Sequence, residues 1–276
     1  MCVQPKFIAK AGFAVPCGNC YDCIKRKITD WSTRLHFEEM YSTVPPLFVT
    51  LTYNHANLKY TTPRAKYATL HKRDLQTFFK RIRKNKFKQT GVHSNNIKYL
   101  AVGEYGTKNK RPHYHLLLFG VHANDVLNAW KKGHEEIGAV YFGDVSGGSI
   151  SYVCGYALAQ GSNRTHVIQN NLMPEFHLYS NGLGKVYTIR TTTIHHNKRV
   201  LEGEPAHFVM VDGVKRPMPR YYTNKIYTPT VKQMLKQQLQ DIADKKQLVI
   251  LSNNQLKSKH DESERKLAQR RKSTVA

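Results

Sequence analysis

RPHYHLLLFG, Arg111 to Gly120, decides how this chain is read, because it sets two imidazoles one residue apart at the head of an apolar β-run. Side chains alternate along a strand, so His113 and His115 share a face with Leu117 and Phe119, while Tyr114, Leu116 and Leu118 take the other. Two histidines on one face, about 7 Å apart along the chain, can grip one divalent ion between them. The plainer alternative is a pair of half-buried histidines hydrogen-bonded to their neighbours. Upstream, KYLAVGEYG (Lys98 to Gly106) reads as a second strand, and the polar turn TKNKR between them predicts an antiparallel hairpin. With Tyr105 opposite Pro112, Glu104 falls opposite His113 on the same face, at cross-strand contact distance. A slip of one residue would turn that carboxylate away.

The chain has 276 residues, enough for one large domain or a domain with appendages. Its 43 Lys and Arg against 19 Asp and Glu give a formal charge of +24. A surplus of that size, spread along the whole sequence, calls for a polyanionic partner, since each phosphate neutralised releases a counterion. An anionic membrane is the alternative, but no long apolar segment or basic amphipathic helix supports it. The amino terminus, MCVQPKFIAK, lacks the apolar core of a signal peptide. Five cysteines, three of them in CGNCYDC, suit metal ligation or reduced thiols better than a disulfide framework, and so a reducing cytoplasm. Cys17, Cys20 and Cys23 have the two-residue gaps of zinc ligands, and Cys2 could supply a fourth thiolate to a closed, structural Zn²⁺ site. The other reading is that Cys20 and Cys23 merely lie on one side of the helix that follows.

That helix is predicted from Tyr21 to about Met40, with Ile24, Ile28, Trp31, Leu35 and Phe37 as its stripe. LFVTLTY, Leu47 to Tyr53, is a strand by its β-branched and aromatic content. DLQTFFKRIRKNKF is a helix with Asp74 as its cap, then the hairpin, then a short helix from about Asn124 to Lys132 stopped by Gly133, then a strand from Gly138 to Val145. Strand, helix, strand, strand, helix, strand is the order of a split βαβ unit, so the fold class expected is α+β, ferredoxin-like and RRM-like, with the His-x-His strand central in an antiparallel sheet. A further helix is predicted from about Ser149 to Gln160, on which Tyr152 and Tyr156, four apart, share one face. Segments 1–46 (Cys-rich, with a basic helix), 47–161 (core with the tyrosine helix), 162–230 (irregular basic extension) and 231–276 (charged helical tail) are the expected divisions. PEFHLYSNGLGKVY and KRPMPRYYTNK read as turn-rich segments whose Lys185, Lys215, Arg216 and Arg220 sit amid tyrosines, a mixture suited to phosphate contact and base stacking. From Val231 a polar helix is predicted to about Leu251, and the end of the chain as a charged helix fraying into a disordered basic tail.

A metal held by two histidines and a carboxylate can bind a non-bridging phosphate oxygen and offset the charge that develops in phosphoryl transfer. A positioned, deprotonated tyrosine can attack the phosphorus, and two on one face allow a second transfer from the first covalent state.

These residues resemble the HUH endonucleases that initiate rolling-circle replication, and most of all the replication-initiation proteins of gokushovirus-like microviruses. The resemblance spans most of the chain. It lies in CGNCYDC followed by Trp31 and Arg34, in FVTLTYN, GEYG, RPHYHLLLFG and YVCGY, and in PEFHLYSNGLGK and RPMPRYY. It implies a phage enzyme acting in the host cytoplasm that nicks single-stranded DNA at the origin of a circular genome. The enzyme would stay on the 5′ end as a phosphotyrosine and leave a 3′ hydroxyl for the host polymerase. It assigns His113, His115 and Glu104 to metal binding, with Mg²⁺ or Mn²⁺ as the ion, and Tyr152 and Tyr156 to catalysis. Arg111, Lys185, Arg216 and Arg220 are the DNA-binding candidates.

The double-tyrosine motif departs from its relatives, which usually carry a lysine immediately before the second tyrosine and another three residues after it. Here those positions hold Gly155 and Ala159. Lys185 or Arg220 is the candidate to replace that lysine, and Tyr152 is the first choice if a single tyrosine acts. No G-x-x-x-x-G-K-[ST] loop is present, which predicts no nucleotide triphosphatase and dependence on a host helicase. The rival readings are a transposase or relaxase of the same chemistry, and a non-catalytic, basic, zinc-containing nucleic-acid-binding protein.

Overall fold

The computed structural model describes residues 2–9, 13–92, 97–143, 145, 150, 153–155, 164–189, 192–245 and 253–273. They form two compact units, one of residues 39–183, the other of residues 1–38 with 184–274.

The 39–183 unit is α+β, built on a five-stranded antiparallel sheet. In chain order its elements are β1 (Leu47–Thr52), α1 (Lys72–Thr90), β2 (Lys98–Tyr105), β3 (Pro112–Phe119), α2 (Ala123–Ala129), β4 (Val140–Gly143) and β5 (Phe176–Tyr179). Across the sheet the order is β4–β1–β3–β2–β5, so the His-x-His strand is central, as expected. The predicted hairpin register holds, with Tyr105 opposite Pro112 and Glu104 opposite His113.

Alternation then assigns the two faces. Val49, Leu51, Ala101, Tyr105, Tyr114, Leu116 and Leu118 join Leu75, Phe78, Phe79 and Ile82 of α1, Val126 and Ala129 of α2, and Trp130 in one buried cluster. Fully burying a side chain of this size contributes about 1.5–3 kcal/mol, so this face fixes the register that the other face uses. On that other face Leu100, Val102, Leu117 and Phe119 are buried in line with Glu104 and the two histidines.

Four expectations change. Helix α1 starts at Lys72 with His71 as its N-cap, and Asp74 stands inside the first turn with its carboxylate 3.0 Å from His71 Nδ1. Helix α2 stops at Ala129, short of Lys132, because Trp130 turns into the core and donates its indole N–H to Thr52 O at 2.9 Å. Lys131–Lys132 then pairs with Glu135–Glu136 in a tight hairpin. Phe176–Tyr179, read as turn-rich, is the edge strand β5. Its Phe176 ring covers Gly103, where an added Cβ would come within 3.0 Å of the ring. The end of the chain is helical over Asn253–Ser273, and Ser263 and Leu267 are buried, where a fraying tail was expected.

The other unit contains most of the helix Tyr21–Met40, the hairpin of Phe208–Val211 with Val214–Pro217, and helices Thr192–Leu201, Arg220–Ile226, Pro229–Lys245 and Asn253–Ser273. Within it the Arg34 guanidinium lies between the rings of Trp31 and Tyr221, 4.4 and 4.1 Å from their centroids. Buried His196 is held by the hydroxyls of Tyr187 and Tyr227 at 2.8 and 3.0 Å.

Candidate metal centre

Because Glu104 and His113 are cross-strand partners and His115 is the next residue on the same face, three side chains meet at one end of β2 and β3. The Glu104 Oε1 atom lies 2.9 Å from His113 Nε2 and 3.0 Å from His115 Nε2. The other ring nitrogens point away into fixed partners. His113 Nδ1 is 3.1 Å from Arg111 O, a carbonyl that can only accept, so this nitrogen carries a proton. His115 Nδ1 is 2.8 Å from the hydroxyl of Thr50, its cross-strand partner on β1. Both Nε2 atoms therefore converge on the carboxylate.

Glu104 is only 4% exposed and its Oε2 is buried without a hydrogen-bond partner. Leaving such an atom unpaired costs about 1–3 kcal/mol or more for a charged group, which a cation would offset. Burial works against ionising Glu104, yet hydrogen bonds to the two imidazoles hold its carboxyl below the ordinary range. Burial likewise opposes a charge on His113, but the hydrogen bond and the attraction from Glu104 outweigh it and raise its pKa.

These donors fit a divalent ion. Adjacent ligands of an octahedral ion with bonds of about 2.1 Å lie about 3 Å apart, which matches both Nε2–Oε1 separations. One carboxylate and two imidazoles would leave positions open for water and substrate oxygen.

A second ligand cluster lies in the other unit. Cys2, Cys17, Cys20 and Cys23 place their sulfurs within 4.8 Å of one another. The Cys17–Cys23 and Cys2–Cys20 pairs are 4.0 and 3.9 Å apart, close to the roughly 3.8 Å edge of a tetrahedral zinc–thiolate site with bonds of about 2.3 Å. The CGNC turn is wound so that N–H groups face sulfur. Cys17 donates to Cys2 Sγ at 3.2 Å and Cys20 donates to Cys17 Sγ at 3.3 Å. Burial opposes ionising Cys17, but the Asn19 and Cys20 N–H groups prevail and lower its thiol to about 6. Burial pushes Cys23 up to about 12. Four thiolates would close such a site to substrate.

The remaining candidates are more dispersed. Tyr152 and Tyr156, together with Ser149, Ala159 and Gly161, lie outside the described residues. Residues 153–155 between the tyrosines are helical, with Val153 and Cys154 buried. Arg111 uses its guanidinium to donate to Tyr53 O at 2.6 Å. Lys185 and Arg220 are exposed and Arg216 is half-buried on its hairpin, all three in the unit that also holds the cysteines. Sequence reasoning did not single out Thr50, although pairing FVTLT against HYHLL would have found it.

Comparison with known proteins now bears on this arrangement. Residues 46–161 match a family model for replication-associated proteins of the ORF2 type. The segment that carries the triad belongs to this replication-associated family. The chain is 29% identical to replication-associated protein VP4 of Bdellovibrio phage phiMH2K over 77% of its own length and 67% of the relative's. It is 28% identical to replication-associated protein ORF2 of Spiroplasma virus 4, over 77% and 68%. It is also 27% identical to replication-associated protein ORF4 of Chlamydia phage 1, over 49% and 29%. No solved structure matches. The likeness to microvirus replication proteins, read first from the motifs, is borne out. No helix among the described residues of this replication-associated chain is long and apolar enough to cross a membrane.

Proposed function

We propose that this protein initiates rolling-circle replication of a small circular phage genome, as a DNA-nicking endonuclease and strand transferase with a tyrosine nucleophile. The observation that carries the reading is the Glu104–His113–His115 cluster, with both Nε2 atoms turned onto one buried carboxylate that has an oxygen to spare. Two further features support it. The order β4–β1–β3–β2, with helices after β1 and β3, is that of a ferredoxin-like HUH core, and the relatives are named replication-associated proteins of phages.

Glu104, His113 and His115 would hold Mg²⁺ or Mn²⁺, which supplies a Lewis acid for a non-bridging oxygen of the scissile phosphate. Arg111 O and Thr50 keep the two rings oriented for that task. Tyr152 or Tyr156 is the nucleophile. Its phenol gives up a proton, its oxygen forms a bond to phosphorus, the bond from phosphorus to the 3′ oxygen breaks, and that oxygen takes up a proton. One phosphoester replaces another, so the energy of the link is kept and the nick can be resealed. The host polymerase would extend the 3′ hydroxyl and a host helicase would open the duplex, in the cytoplasm of an infected bacterium. The cysteine cluster would hold a structural Zn²⁺ that takes no part in the transfer.

Purified protein with Mn²⁺ is expected to cleave a single-stranded origin oligonucleotide and to migrate as a covalent adduct. Tyr152→Phe combined with Tyr156→Phe should abolish the adduct and spare binding, with mass spectrometry locating the attached residue in the wild type. An adduct that persists in the double variant overturns the assignment of the nucleophile.

A further inference from the structure

Beyond the triad, the 39–183 unit has a cleft of about 170 Å³ at the end of β1, on the helix-covered face of the sheet. Three cations from three separate elements line it. Lys59 comes from the loop after β1, Arg81 from α1 and Lys132 from the short hairpin before β4. One carboxylate, Asp74, also lines it, which leaves a formal balance of +2.

That carboxylate is already engaged. Tyr53 donates its hydroxyl to Asp74 Oδ2 at 2.9 Å and is itself 2.8 Å from the Tyr114 hydroxyl, while Asp74 Oδ1 lies 3.0 Å from His71 Nδ1. Arg81 spends one nitrogen on Ala129 O at 3.3 Å, which leaves most of its five donors uncommitted there. Among the described residues, none of Lys59, Arg81 and Lys132 makes an ion pair. On a strongly basic protein most such side chains simply face water. Three that border one concavity, with the hydroxyl of Thr77 beside them, repel one another unless an anion enters.

The position of the cleft also bears on its ligand. Tyr53 directly follows Thr52, which lies opposite His113, and Tyr53 O accepts the Arg111 guanidinium. Cleft and triad therefore share one end of the sheet, on opposite faces. A strand lying across the triad and passing over that end brings further phosphates toward the cleft.

We propose that this cleft is a phosphate-binding subsite, filled by a backbone phosphate of the single-stranded DNA that the triad acts on. Only the source of the phosphate rests on the proposed nicking function; the cationic cleft itself does not. Lys59 and Lys132 act as point charges and Arg81 as the directional fork.

The test reads binding by the full chain without added divalent metal, so a protein that binds but does not nick would sink the nicking function and leave this subsite standing. A labelled oligonucleotide is titrated across a salt series against wild type, Lys59→Gln/Lys132→Gln and, as a charge-matched control, Lys84→Gln/Lys88→Gln on the exposed side of α1. The cleft pair should lower affinity several-fold at about 0.15 M salt and flatten the plot of log affinity against log salt by about 0.7 per lost single-strand phosphate contact. The control pair should do less. Arg81→Lys, which keeps the charge and loses the fork, should fall between wild type and the cleft pair. A parallel calorimetric titration with inorganic phosphate separates the sources. Phosphate binding that the cleft pair loses, with oligonucleotide affinity unchanged, assigns the subsite to a free anion. If the cleft pair differs from the control in neither titration, with circular dichroism confirming that both variants are folded, the proposal is overturned.

Discussion

The triad and the cysteine cluster are both places where ligands converge, and they are built in opposite ways. Cys17, Cys20 and Cys23 lie within seven residues, so a turn and the start of one helix bring them together. Glu104 and His113 are nine residues apart and meet only because two strands pair in one register out of several. The donor sets differ in the same sense. Four thiolates saturate an ion and can do no more than hold the chain, whereas one carboxylate and two imidazoles leave room for a reacting group. A site built from tertiary register is exacting to assemble and open for chemistry, and a site built from local sequence is easy to assemble and closed.

If that contrast is sound, damage to the two should separate cleanly. His113→Ala combined with His115→Ala should cut oligonucleotide cleavage by about 10³-fold or more, since several kcal/mol of charge stabilisation is lost at about 1.36 kcal/mol per tenfold. Its thermal midpoint should fall far less than that of Cys17→Ser, which should lose bound metal and a few kcal/mol of stability. A triad variant that unfolds, or a cysteine variant that loses activity at full stability, would erase the distinction. A milder probe is Thr50→Val, which removes the hydroxyl at His115 Nδ1. It should weaken metal binding at the triad by about 10–100-fold and leave the metal content of the cysteine cluster unchanged.

Acidity should separate them as well. A proton on His113 competes with a metal, and its folded pKa lies above 6.5, so triad affinity should drop up to about tenfold per pH unit below that raised value. The cysteine cluster should hold metal to lower pH, since Cys17 ionises near 6 even without it. In metal-free protein the sign reverses. The His113 contribution is complete below 6.5 and fades as pH rises through its raised value, and that of Glu104 is complete above 4.5 and fades as pH falls through its lowered value. The pair therefore stabilises the metal-free fold most between about 4.5 and 6.5, which a series of thermal melts would show.

What the amino-acid sequence made legible follows the same division. Alternation in RPHYHLLLFG and the length of the TKNKR turn were enough to place Glu104 opposite His113, because only one register buries Tyr114, Leu116 and Leu118 together. The cysteine spacing was legible for the opposite reason, its independence from the rest of the fold. Strand β5 was not, since four residues flanked by Pro174 and Ser180 carry little periodicity and pair only because Gly103 makes room for Phe176. Nor was the early stop of α2, which depends on Thr52 O, a group 78 residues away from Trp130. The cleft with Lys59, Arg81 and Lys132 escaped because each is one of 43 cations, and nothing local distinguishes those that face a common hollow.

Ser263 accepts the N–H of Tyr21, the first residue of the helix that carries one of the cysteines. On a ribosome these partners are 242 positions apart, and translation at about 5–20 residues per second separates them by more than ten seconds. Residues 39–183 emerge whole and can fold in the interval, while the 1–38 segment waits for its last helix. The unit that reads as the engine is therefore ready first, and the opening residues of the chain are the last to be fastened down.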